Sequence, residues 1–262
     1  MIVTFKNRIE SLLKCALLGY SANYEFVYEK NLNKLMTGTA KKVEGYDIDD
    51  LILRHEAMYK KTNFLYNNEK MKKLFGFVSL ARFHKDNERF ELIIKVIRQA
   101  LAKNVDFVVS QISKESRKVY EMNRQVMTEI HRLKSFARFT EKDKILFTNL
   151  NFEHNTQDII LRYFMEKYPE NAVMISERTK THIGYKGKIK TVNEAITLND
   201  FRQEKNELWN AVYDSSYISA RRNYKQAVRF MPKKYWNNEV KKREGHMIQF
   251  GIQDTKLTQF IT

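Results

Sequence analysis

The sequence predicts an α+β fold: a helical N-terminal half, a small antiparallel sheet of about four to five strands with one packed helix, and a helical C-terminal segment. Three observations predict it. Apolar residues recur at three- and four-residue steps through the first half. The period changes to two after residue 136, and helical spacing returns from about Asn199. Only two prolines and eight glycines punctuate 262 residues, which leaves little material for a linker. The expectation is therefore a single domain over 1–262, with a mainly helical part (1–135), a sheet with one helix (136–193), and C-terminal helices with a basic tail (194–262).

Each element has its own signal. Phe5, Ile9, Leu12, Leu13 and Ala16 share one helical face, and Phe90, Ile93, Ile94, Ile97 and Leu101 share another over Asn87 to Leu101. A helix from about Ile112 to Leu133 carries the stripe Val119, Met122, Val126, Ile130 and Leu133. Residues 20–70 are less patterned. GTAKKVEGYDIDD reads as a hairpin or as a loop before a helix near Asp49 and Asp50, whose carboxylates suit a helix start better than a metal. FARF and ILFTNLNF alternate around the turn signal EKDK, so a hairpin is expected. NTQDIILRYFMEKYP reads as a helix capped by Asn155 or Thr156 and followed by Pro169. AVMISERT, THIGYKGK and KIKTV are strands, with GYKGK as a turn rather than a phosphate loop.

Composition narrows the function. An apolar fraction of 43% and an aromatic fraction of 13% fit a folded chain, and a net charge of +16 favours polyanionic partners. The single cysteine, Cys15, sits in an apolar run, where it reads as a small buried hydrophobe; it excludes an internal disulfide and a four-cysteine metal site. No uncharged run of about 18 residues is present. The N-terminus, interrupted by Glu10 and Lys14, does not read as a signal peptide. A cytoplasmic protein without a membrane role is expected.

Two stretches carry the excess charge. EIHRLKSFARF (129–139) runs from helix to strand. Tyr120, Arg124, Met127, His131 and Lys134 share a flank there; Arg132 points elsewhere, and Arg138 alternates away from Phe139. Such a corner suits phosphate contacts, which position a backbone without reading sequence. The second stretch, 217–243, holds Arg221, Arg222, Lys225, Arg229, Lys233, Lys234, Lys241, Lys242 and Arg243 against the single acid Glu239, interleaved with Tyr217, Tyr224, Phe230, Tyr235 and Trp236. Cations release counterions from phosphates, and rings stack on exposed bases. Within FMPKKYW, Pro232 halts a helix, Phe230, Met231 and Trp236 anchor, and Lys233 and Lys234 face outward. Tyr235 belongs with them as a contact residue.

Histidines offer the alternative. His131, His154 and His182 lie near Glu129, Glu153, Asp158 and Glu177 in sequence, so His131 or His154 with a carboxylate is the candidate acid–base pair. No HExxH or paired-His spacing supports a metal. At His154–Asn155, a strand-to-helix junction, a capping role comes first.

These motifs together carry a resemblance. HRLKSFARF, NFEHNTQDIILRYFMEKYP, VMISERT, ELWNAVYDSSYISARRN and FMPKKYW occur in the order of a family described as DNA metabolism proteins, whose biochemical function is unknown. The chain resembles that family over about residues 75–237, most closely over 129–237. The resemblance implies work beside a DNA modification or repair radical SAM protein; some family members are fused to a uracil-DNA glycosylase-like domain. It brings no catalytic residues with it. With one cysteine the chain cannot hold a radical SAM cluster, so that chemistry would belong to a partner, and no cofactor is expected in this chain. The resulting expectation is a nucleic-acid-binding accessory protein in DNA repair or modification, DNA ahead of RNA, rather than an enzyme on its own. The alternatives are an enzyme acting on a nucleic acid base through a His/carboxylate pair, and a basic module that docks an acidic protein.

Overall fold

The structure is a computed structural model that describes residues 1–19, 24–32, 40–59, 65–196 and Arg229. The chain divides into two compact units, Met1–Met127 and Thr128–Thr262. The fold class is α+β, as the periodicity predicts.

The first unit combines helices with a short parallel sheet. Its strands are β1 (Ile2–Phe5), β2 (Glu25–Tyr28) and β3 (Lys41–Lys42), in the order β2-β1-β3, with β1 parallel to both neighbours. Helix α1 (Ile9–Leu18) forms the return from β1 to β2 and packs against α4 (Arg89–Ala102). Leu12, Leu13 and Ala16 of the expected α1 face are buried and Ile9 is half-buried, but Phe5, expected on the same helix, lies in β1. On α4 the whole expected face, Phe90, Ile93, Ile94, Ile97 and Leu101, is buried. Phe5 meets Phe90 edge-on at 5.2 Å between centroids, which ties the sheet to α4. Cys15 is fully buried, and burial pushes its thiol pKa well up, which matches a packing role.

Within residues 20–70, the described residues hold β2, β3 and then α2 (Ile48–Tyr59). Asp47 caps α2, its Oδ1 accepting from the backbone of Asp49 at 2.9 Å and Asp50 at 3.1 Å. DIDD is thus a helix start. Asn67 does the same for α3 (Asn68–Val78), and Asn104 for α5 (Val105–Val109).

The long helix α6 (Lys114–Phe136) begins in the first unit and ends in the second. All five residues of its predicted stripe are buried. Among the described residues the second unit has five strands, β4 (Thr140–Lys142), β5 (Ile145–Asn149), β6 (Ala172–Ser176), β7 (Thr181–Tyr185) and β8 (Lys188–Val192), paired in sequence order. Helix α7 (Gln157–Lys167) lies between β5 and β6 in sequence.

The second unit departs from expectation in two ways. The sheet is mixed, not antiparallel: β5 and β6 run parallel, with Phe147 opposite Met174. A helix between two neighbouring strands carries the chain back to the starting end, so the second strand must repeat the first one's direction. And FARF does not form a strand, because α6 continues through Phe136 and β4 starts only at Thr140. The turn in EKDK is real. Asp143 and Lys144 adopt φ of 51° and 62°, the left-handed pair that joins strands across two residues.

Helix α7 lies on the face of the sheet that holds Gly184. A Cβ there would fall 2.5 Å from Met165 Sδ and 2.9 Å from Leu161 Cγ, so only glycine admits the helix at this distance. On the opposite face Phe147 and Met174 are buried, with Ile145, Ile183 and Ile196 packed against them. The expected C-terminal helices and FMPKKYW lie outside the described residues, Arg229 excepted.

Candidate nucleic-acid interface and a buried histidine–glutamate pair

The predicted basic residues have different fates. Arg124, in the first unit, is exposed but already engaged. Its Nε donates to Glu121 Oε2 at 3.0 Å and its Nη2 to Oε1 at 2.9 Å, a two-pronged pairing one helical turn apart. That pairing lowers the Glu121 pKa and raises that of Arg124.

Arg132, Lys134 and Arg138 belong to the second unit. Arg132 is half-buried. Lys134 holds its ammonium 3.9 Å from the centroid of Tyr163 of α7, a cation–π contact that fixes an otherwise loose side chain. Arg138 is exposed and sits in the link between α6 and β4. Its Nη1 donates to the carbonyls of Ser135 at 2.9 Å and Ala137 at 3.0 Å, satisfying acceptors left over at the end of α6. The three stand close in sequence near the C-terminal end of α6, with Lys134 turned onto Tyr163 and Arg138 onto the end of the helix. Of the second basic stretch, Arg229 is exposed; Arg221, Arg222, Lys225, Lys233, Lys234, Tyr235, Lys241, Lys242 and Arg243 lie outside the described residues.

The histidine candidates separate. His131 is exposed on α6, whereas His154 is buried in the link before α7. The junction is capped, but from elsewhere. Glu129 of α6, only 2% exposed, turns its carboxylate onto the backbone of that link. Its Oε2 accepts from His154 N at 3.0 Å and from Thr156 Oγ1 at 3.4 Å, and Oε1 takes a short bond from Glu153 N. His154, predicted as a capping residue, contributes its main-chain N–H to this arrangement. A signal for Glu129 exists in the sequence: it stands three residues after Val126 and four before Leu133, a charge placed on an apolar stripe.

A different histidine finds a carboxylate. His182 on β7 and Glu177, just past β6, lie on either side of the β6–β7 turn, with Ser176 opposite Thr181. His182 Nε2 stands 2.8 Å from Glu177 Oε1, and Nδ1 stands 3.0 Å from Thr191 Oγ1 on β8. A carboxylate only accepts, so Nε2 carries the proton. Nδ1 pairs with the Thr191 hydroxyl, which can donate or accept. Burial works to raise the Glu177 pKa. Hydrogen bonds from His182 and Gln157, with the charges of His182 and Lys180, outweigh it and leave the carboxyl below its ordinary range. Gln157 opens α7, so the cluster sits at the carboxyl ends of the parallel pair β5–β6, the usual place for ligands beside such strands. Glu177 thus orients His182, and His182 links it to the exposed Thr191 hydroxyl on β8. Among the described residues no group of three or more His, Cys, Asp or Glu is placed to hold a metal, and no helix is long and apolar enough to cross a membrane.

No curated protein and no solved structure matches the chain. Residues 87–240, from the start of α4 through the whole described part of the second unit, match the model of a family described as a domain of unknown function, DUF4130. That match covers more than half of the sequence, and the chain belongs to this family.

Proposed function

We propose that the protein binds nucleic acid as an accessory factor in DNA repair or modification and delivers it to a separate enzyme, such as a radical SAM protein. The observation that carries this reading is the charge of +16, to which Arg132, Lys134 and Arg138 contribute close together in sequence at the end of α6. Such a surplus costs stability by self-repulsion and draws polyanions by long-range attraction. The accessory role rests on the sequence resemblance to DNA metabolism proteins.

The test is binding of the full chain to a labelled DNA duplex by fluorescence anisotropy across a salt series. Binding should weaken steeply with salt. Replacing Arg221, Arg222, Lys233 and Lys234 by Ala should flatten the slope of log K against log salt by roughly 0.9 for each phosphate that is no longer neutralised. An unchanged slope would move the surface elsewhere, and no binding at all would end the reading. Pull-down after nuclease treatment separates it from a docking module: a partner kept without nucleic acid favours docking.

A second reading is favoured by the contact of His182 with Glu177 at 2.8 Å. Here the protein would act on a nucleic acid base, with this pair in place of His131 or His154 as acid and base. It predicts a chemical change in a base-modified oligonucleotide that His182→Gln abolishes while binding persists.

A further inference from the structure

We infer that the β7–β8 hairpin is a contact ribbon for single-stranded nucleic acid, centred on Tyr185, Lys186, Lys188 and Lys190. The inference rests on the nucleic-acid reading and adds a surface outside both basic stretches considered above.

The sequence from Arg178 to Asn193 holds Arg178, Lys180, Lys186, Lys188 and Lys190 and no acidic residue. Register decides where these side chains go. Tyr185 pairs with Lys188, and Ile183 with Lys190, so Tyr185, Lys188 and Lys190 share the face opposite α7, because Gly184 and its partner Ile189 occupy the α7 face. Lys188 and Lys190 are exposed and stand two residues, about 7 Å, apart along the strand. Lys186 and Gly187 form the turn, with φ of 45° and 78°. Lys186 brings its ammonium within 5.2 Å of the Tyr185 ring, which is itself 45% exposed. Lys186, Lys188 and Lys190 make no ion pair among the described residues.

An edge strand often carries lysines simply to block pairing with another chain. That accounts for Lys188 and Lys190 on β8, the last strand in the sheet order among the described residues. It does not account for a large exposed ring held beside them. A flat ring amid unpaired cations matches a strand whose bases are free to stack and whose phosphates need neutralising. In a duplex the bases are already stacked, and such a ring has nothing to cover. Unpaired bases in DNA and in RNA offer the same chemistry.

The test uses the full chain and a fluorescein-labelled oligothymidine of about 20 nucleotides, with oligouridine and a duplex of equal length as further arms. The triple variant Lys186→Gln, Lys188→Gln, Lys190→Gln should lower the salt slope on the single strand by about 0.7 for each lysine that touches a phosphate. Tyr185→Ala should weaken single-strand binding about five-fold to a hundred-fold, leave the slope alone, and change duplex binding little. All four positions are exposed, so an unchanged melting midpoint confirms the fold of the variants. A parent that binds the oligonucleotide, with both variants binding equally well, overturns the ribbon and leaves the general reading standing. A parent that binds no nucleic acid overturns both. Comparison of oligothymidine with oligouridine decides which strand the ribbon takes.

Discussion

Glu129 Oε2 accepts the main-chain N–H of His154 at 3.0 Å, with both residues buried, and so a carboxylate of α6 fixes the link that opens α7. Removing that carboxylate leaves buried N–H groups without their acceptor. Each such group costs about 1–3 kcal/mol. Glu129→Ala should therefore destabilise the protein by roughly 2–4 kcal/mol, and Glu129→Gln, which keeps one acceptor oxygen, by less. Urea titration followed by circular dichroism measures both. Equal, small losses for the two variants would mean that the carboxylate holds nothing.

The same residue shows what a sequence makes legible. The α6 stripe can be read because 23 consecutive helical residues repeat their apolar spacing many times. Glu129 is visible as a charge on that stripe, but its partner 25 residues later is not. Both β5 and β6 can be read, and so can α7, yet the parallel pairing cannot, because alternation reports a strand and not its direction. β1 is four residues and β3 two exposed lysines, too short to produce a period. The His182–Glu177 contact depends on the β6–β7 register, which residue spacing alone does not supply.

Gly184 controls how closely α7 approaches the sheet. Its missing Cβ leaves room for Met165 and Leu161 of α7. Gly184→Ala should cost about 1–3 kcal/mol through overpacking. Met165→Ala in the same chain should return part of that loss, since Met165 Sδ is the nearest obstacle at 2.5 Å. A double-mutant cycle checks this, and strictly additive losses would show that the helix simply moves away.

Glu177 should make stability depend on pH. Its folded pKa lies below the ordinary value of 4.5. A carboxyl depressed on folding stabilises the native state above its unfolded pKa, and that contribution drains away as pH falls through the folded value. Stability should thus drop between about pH 5 and pH 3, and Glu177→Gln should remove part of that drop. Denaturation midpoints at several pH values supply the comparison. Parallel pH profiles for parent and variant would show that His182 and Gln157 do not favour the ionised form.

Cations free to serve a ligand should separate by experiment from those already engaged. Arg124 is forked onto Glu121, so the pair presents no net charge to a polyanion. Arg124→Ala should leave the salt slope of DNA binding unchanged, because a neutralised cation releases no additional counterion. Lys134 is different: a ring face positions its ammonium without cancelling its charge. Lys134→Met should reduce the slope by up to about 0.9 if it meets a phosphate, and should cost about 0.5–1 kcal/mol of stability because Tyr163 is left without its cation. Tyr163→Leu should reproduce the stability loss while keeping the charge, and therefore most of the slope. If Arg124→Ala flattens the slope and Lys134→Met does not, the DNA follows the first unit's stretch of α6 and not its C-terminal end.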